Sequence, residues 1–284
     1  MLGFSTYAAL LPELRGQWSL SNSQAGIVGG MFFAGYIATV SYWTALTDRI
    51  DARKVYLAGS LLAAAASAGF GLAANGFTAA AMFQALLGAG IAATYMPGLR
   101  LLSDRISGAA QSRYIAFYTS FFGVGTALSL AAAGLIASAT GWRAAFVTSA
   151  AGPLLAGALV WLFIKGSNPA PSALAAKALF PLAAWRKVLA NRAAAGYTLG
   201  YTVHCLELFG SRAWMVAFLV FSSGLHKAET FPWPPALIAA VVNLLAVPAS
   251  IIGNEVALRI GRRPWIMIAM VGRRRLVVAN RDIN

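Results

Sequence analysis

Thr44-Ala45-Leu46-Thr47-Asp48-Arg49-Ile50-Asp51-Ala52-Arg53-Lys54 packs two carboxylates and three basic side chains into eleven residues. The runs on either side, residues 24 to 43 and 55 to 74, hold no charged residue at all. Each run is long enough to cross a hydrocarbon layer about 30 Å thick as a helix rising about 1.5 Å per residue. A turn this charged between runs this apolar decides the fold class. It predicts membrane-crossing helices, whose backbone groups are satisfied internally, joined by short loops that keep the charge in water.

The rest of the chain agrees. Of 284 residues, 59% are hydrophobic and 11% charged, with a mean hydropathy of +0.69. A soluble domain carries roughly a quarter charged residues, so this chain cannot cover itself with polar surface. The excess of 22 basic over 8 acidic side chains would suggest nucleic acid in a soluble protein. Here the cations fall in alternate loops and form no basic face, so a nucleic-acid partner is not expected and lipid is. One cysteine, Cys205, excludes a disulfide framework and a cysteine-based zinc site.

Hydropathy places helices at about 1 to 12, 24 to 43, 55 to 74, 78 to 99, 114 to 138, 143 to 164, 195 to 223 and 234 to 255, with a further start at 264. The first is too short to span and is expected to close at Pro12-Glu13, so the chain reads as beginning inside a helix. Alternate loops place Arg49, Arg53, Lys54, Arg100, Arg105, Arg113, Lys165, Lys177, Arg186, Lys187, Arg192, Arg259, Arg262 and Arg263 on one side, against Arg15, Arg143 and Lys227 on the other. The positive-inside rule makes the first side cytoplasmic. The expected organisation is an all-α, polytopic helix bundle. It comprises a six-helix bundle over 1–164, a cytoplasmic linker over 165–192 with Pro169, Pro171 and Pro181, a partial second bundle over 193–271, and an aberrant tail over 272–284. In that tail Arg273, Arg274 and Arg275 interrupt the new span, which reads as a truncated or frame-shifted end.

A second charged turn follows the eighth run: Asn254-Glu255-Val256-Ala257-Leu258-Arg259-Ile260-Gly261-Arg262-Arg263. Together the two turns resemble the signature loop of the major facilitator superfamily, G-x-x-x-D-[RK]-x-G-[RK]-[RK]. Asp48, Arg49 and Arg53 match in the first copy, where Thr44, Asp51 and Ala52 depart. Arg259, Gly261, Arg262 and Arg263 match in the second, where Leu258 stands at the acidic position. Two such loops, each after the second helix of a six-helix half, are what a duplicated twelve-helix transporter implies. The resemblance makes these residues a gating loop, a charge clamp that holds the halves together on the cytoplasmic side. A plain solvated turn obeying the positive-inside rule is the alternative for either copy alone.

Gln84-Ala85-Leu86-Leu87-Gly88-Ala89-Gly90 resembles the family's R-x-x-x-G-x-G, with Gln84 in place of the Arg linked to proton coupling in many members. Gly123, Gly125 and Gly134 on the fifth run lack the Gly-Pro of the antiporter signature. Those glycines, like Gly26 and Gly30, can simply allow close helix packing. The seventh run carries His204, Cys205, Glu207 and Arg212 near its centre. Ionisable groups at that depth are costly and mark substrate or ion paths, so Gln84, His204, Glu207 and Arg212 are the candidates for a substrate or proton pathway. A structural pair for Glu207, or a misplaced span, remains open. Arg212, five residues on and roughly 140° around the helix from Glu207, is placed better for a partner on another helix or for an anionic substrate.

His204 and His226 are the only histidines, and no metal-ligand spacing, P-loop, nucleophile elbow or dinucleotide fingerprint is present. No metal, no cofactor and no enzyme activity are therefore expected. The expected function is secondary active transport of a small solute by alternating access, with a proton as candidate coupling ion. The setting is a multi-pass protein of the cell inner membrane, monomeric, with its long central loop in the cytoplasm. A non-transporting remnant or receptor-like relative of the same fold is the alternative.

Overall fold

The computed structural model describes residues 2–166, 182–225, 233–261 and 263–269. Every regular element among them is an α-helix: α1 (Thr6–Gln17), α2 (Asn22–Leu46), α3 (Ala52–Ala73), α4 (Phe77–Ser103), α5 (Ala109–Thr140), α6 (Trp142–Ser149), α7 (Ala151–Phe163), α8 (Leu182–Ala190), α9 (Arg192–Leu225) and α10 (Pro235–Ile260). Residues 263–269 are helical too. Seven segments are long and apolar enough to cross a membrane, α6 and α7 counting as one. Large apolar side chains face outward from them, Leu162 at 74% and Phe163 at 77% exposure, as lipid-facing surfaces require.

Local chemistry sets the helix ends. Ser21 opens α2 with a capping box, its Oγ accepting from Gln24 N at 3.2 Å while Gln24 Oε1 accepts from Ser21 N at 2.9 Å. Asp51 opens α3 by accepting from Arg53 N at 2.9 Å. Gly141 turns the chain between α5 and α6 at φ +90°, a left-handed conformation that a Cβ would strain. Pro153 cannot donate back to Ser149, and the span breaks there into α6 and α7. On the side opposite the charged turn, Arg143 Nη1 donates to Gly71 O at 2.9 Å and so serves a terminal carbonyl of α3.

One expected boundary is corrected. Pro12 does not close the first helix, which runs through it to Gln17. The lost hydrogen bond is outweighed by packing, because Leu10, Leu11 and Leu14 around it are 4, 3 and 0% exposed and α1 is wedged among α2, α5, α6 and α9. The segment 165–192 also departs from a plain linker, since α8 lies inside it. Its Pro169, Pro171, Lys177 and Pro181 fall outside the described residues, as do His226, Lys227, Arg262 and the tail 272–284.

Close crossings build the first half. A Cβ on Gly35 would strike the Ala85 carbonyl, and one on Gly88 the Phe32 carbonyl, so α2 and α4 meet backbone to backbone. Gly59 and Gly90 do the same for α3 against α4, at Ala93 and Ala63. Gly88 and Gly90 are thus packing residues. Of the Gly26 and Gly30 pair, Gly26 faces Trp214 at 3.4 Å and Gly30 faces open space, so α2 relies on Gly35 instead. At one end Phe70 stacks on Phe146 with ring centroids 3.9 Å apart, flanked by Trp18 and Trp142.

The second half joins through α1 against α9 and α5 against α10. A Cβ on Gly134 would lie 2.7 Å from Ala236 Cβ, and one on Gly123 3.0 Å from Val247. The paired numbers advance on one helix as they fall on the other, which is an antiparallel register. Leu10, Leu14, Leu130, Ala133, Val216, Ala236 and Ala239 from four helices form one buried cluster there.

Candidate functional site

The first charged turn is a network confined to one end of the bundle. Asp48 forms an ion pair with Arg100 at the end of α4. Arg100 Nη1 also donates to Thr47 Oγ1 at 2.8 Å, and its Nε reaches Asp104 Oδ2 at 3.4 Å. Arg53 Nη1 donates to Trp161 O and Ile164 O at 3.3 and 3.0 Å, and its guanidinium sits 4.1 Å over the Trp161 ring. Arg105 Nη2 donates to Lys165 O at 2.7 Å. These bonds tie α2 to α4 and α3 to α7.

The expectation of a clamp between halves therefore meets a different geometry. Asp48 reaches Arg100, Asp51 caps its own helix, and Arg53 reaches Trp161 and Ile164, so each of these contacts stays within the first half. The reason is the α2–α4 crossing at Gly35 and Gly88, which brings Arg100 beside Asp48. Arg49 is exposed. Asp51 replaces the motif's glycine without strain: it sits at φ −51° and works as a helix cap. In the second turn the glycine is needed, because Gly261 ends α10 at φ +92°. Arg259 and Arg263 are exposed, and Arg262 lies outside the described residues.

Between the halves lies a cavity of about 690 Å³ walled by α2, α4, α5, α9 and α10 and by Phe4, just before α1. Eight aromatic residues line it: Phe4 from just before α1, Phe32, Phe33 and Tyr36 from α2, Tyr95 from α4, Phe122 from α5, and Tyr201 and Phe209 from α9. Phe4 packs edge-to-face against three of them, its ring centroid 5.1, 4.9 and 6.2 Å from those of Phe32, Phe122 and Phe209. From α9, His204, Cys205 and Arg212 reach the wall. Arg212 stands two turns beyond Cys205 on the same helix face, with His204 next to Cys205.

Gln84, 2% exposed, lines a side chamber of about 40 Å³ together with Ser5, Phe33 and Arg212. The structure thus brings together three of the four pathway candidates, Gln84, His204 and Arg212. Glu207 stands apart, exposed on α9 and off the cavity wall. Among the described residues no cluster of three or more His, Cys, Asp or Glu side chains could hold a metal ion.

Sequence reasoning missed the aromatic wall and Arg100. The first left a signal, Phe32 and Tyr36 one turn apart on α2 and Tyr201 and Phe209 two turns apart on α9. Arg100 left none, because nothing local links residues 48 and 100.

The family model described as Major Facilitator Superfamily matches residues 1–273. A curated relative, "Putative transporter svop-1" of Caenorhabditis elegans, is 25% identical over 152 residues, 53% of this chain. The match spans 29% of that relative's length.

Proposed function

The chain belongs to the Major Facilitator Superfamily, and from that premise we propose that it carries a small solute across a membrane by secondary active, alternating-access transport. The observation that carries the proposal is the cavity itself. It is walled by helices of both halves and holds ionisable side chains in an apolar surround, where such groups mark a solute path.

The cavity also has a direction. Where α5 faces α10, its lining residues Thr119, Ser120, Ala249 and Ser250 lie on the charged-turn side of the Gly123–Val247 contact, while Gly134 against Ala236 and the buried cluster seal the opposite end. With the charged turn cytoplasmic by the positive-inside rule, this is an inward-facing state of a monomeric, multi-pass inner-membrane protein. The long segment between the halves lies on the cytoplasmic side. The Asp48–Arg100 network holds the first half rigid at the inner mouth while the second half rocks against it. A coupling proton would ride on His204 at the wall and Glu207 three residues on.

Solute flux into proteoliposomes tests the reading. Saturable, gradient-dependent uptake is expected. Intact insertion without any flux overturns it in favour of a receptor-like relative.

A further inference from the structure

The cavity's chemistry is more selective than its family. Among the described residues Arg212 is the one permanently charged wall residue, and no Asp or Glu lines either the cavity or the side chamber. Among the described residues the Arg212 guanidinium makes no hydrogen bond or ion pair, whereas Arg53, Arg100, Arg105 and Arg143 all do. A half-buried, unpaired cation in apolar surroundings favours an anionic partner, and a guanidinium fork suits a planar oxyanion held by two parallel hydrogen bonds. The Gln84 amide borders the same chamber and offers a neutral donor beside it.

We propose that the cavity takes an organic carboxylate with an aromatic or similarly apolar body, the carboxylate on Arg212 beside Gln84 and the body among Phe4, Phe33, Phe122 and Phe209. Alternatives fail on the same wall. A bare inorganic anion leaves the aromatic faces unfilled in a space of about 690 Å³, and a neutral apolar molecule leaves Arg212 unpaired. An organic cation meets Arg212 with no carboxylate among the described wall residues to offset the repulsion. The volume matches sites that enclose one small organic molecule.

This inference deepens the transport reading and rests on it only for the flux arm. The probes are 3-phenylpropionate, 3-phenylpropionamide, 3-phenylpropylamine and acetate, titrated calorimetrically against the full chain in lipid nanodiscs. The carboxylate is expected to bind roughly ten- to a hundredfold tighter than the amide, the range for a charge-assisted pair. The amine and acetate are expected to bind more weakly still. Arg212→Gln brings carboxylate and amide level, Arg212→Lys restores part of the difference, and Phe33→Ala weakens phenylpropionate while preserving its preference over the amide.

Equal or tighter binding of amide or amine by the unaltered chain overturns the inference, as does no binding of phenylpropionate at millimolar concentration. A preference that survives Arg212→Gln overturns it too. Should Arg212→Gln fail to insert, the unaltered chain and Phe33→Ala decide alone. Selective binding without phenylpropionate uptake upholds the carboxylate site and counts against transport. Uptake of the amine in its place upholds transport and overturns the carboxylate site.

Discussion

Arg100 shows how much one residue can hold. Its guanidinium reaches Asp48, Thr47 and Asp104 at once, yet Arg100 and Asp48 remain 32 and 41% exposed. A pair so wetted contributes about 1 kcal/mol at most, roughly fivefold in a conformational equilibrium. Asp48→Asn is therefore expected to slow initial uptake by up to about fivefold while insertion stays intact. Added to Arg100→Gln it should change little further, because both substitutions break one pair. Unchanged initial rates in Asp48→Asn would remove its part in gating, and full additivity would show separate roles.

Among the elements, α2 and α4 carry the first half through glycine. Gly35 and Gly88 have backbone carbonyls where a Cβ would go, so neither flexible side chains nor small shifts can absorb a substitution. Gly88→Leu is expected to destabilise by about 3 kcal/mol or more, beyond ordinary overpacking, read as a large fall in thermal midpoint in detergent. Gly30 sits on α2, like Gly35, but faces open space. Gly30→Ala should leave that midpoint unchanged or raise it, since alanine favours a helix interior by up to about 1 kcal/mol. A Gly88→Leu protein as stable as the unaltered chain would show that the two helices can separate.

At the scale of the whole molecule, the α5–α10 seam joins the halves at the sealed end. Cysteines replacing Gly134 and Ala236 come within disulfide reach once the two helices part by about 1 Å, because a Cβ on Gly134 would lie 2.7 Å from Ala236 Cβ and a disulfide holds its Cβ atoms about 3.8 Å apart. The bond is expected to form under mild oxidation, to lock the proposed inward-facing state and to stop uptake until a reductant is added. Uptake that continues with the disulfide mapped in place would exclude any outward opening along this seam.

The sequence by itself determined that this is a membrane helix bundle, where most spans lie and which side carries the positive loops. Those properties follow from runs of apolar residues and from where charge can stay in water, both local to the chain. It also placed His204 and Arg212 within an apolar run that the structure forms as one long helix, α9. Only the tertiary structure decided that α1 continues through Pro12, that Gly35 rather than Gly30 is the contact, and that Asp48 pairs with Arg100. It alone assembled eight aromatic side chains around a cavity that Arg212 borders, with Gln84 in the adjoining chamber and Glu207 left outside the wall. Each of these depends on which helix faces which, and lipid-facing and cavity-facing apolar residues read alike until their neighbours are in place.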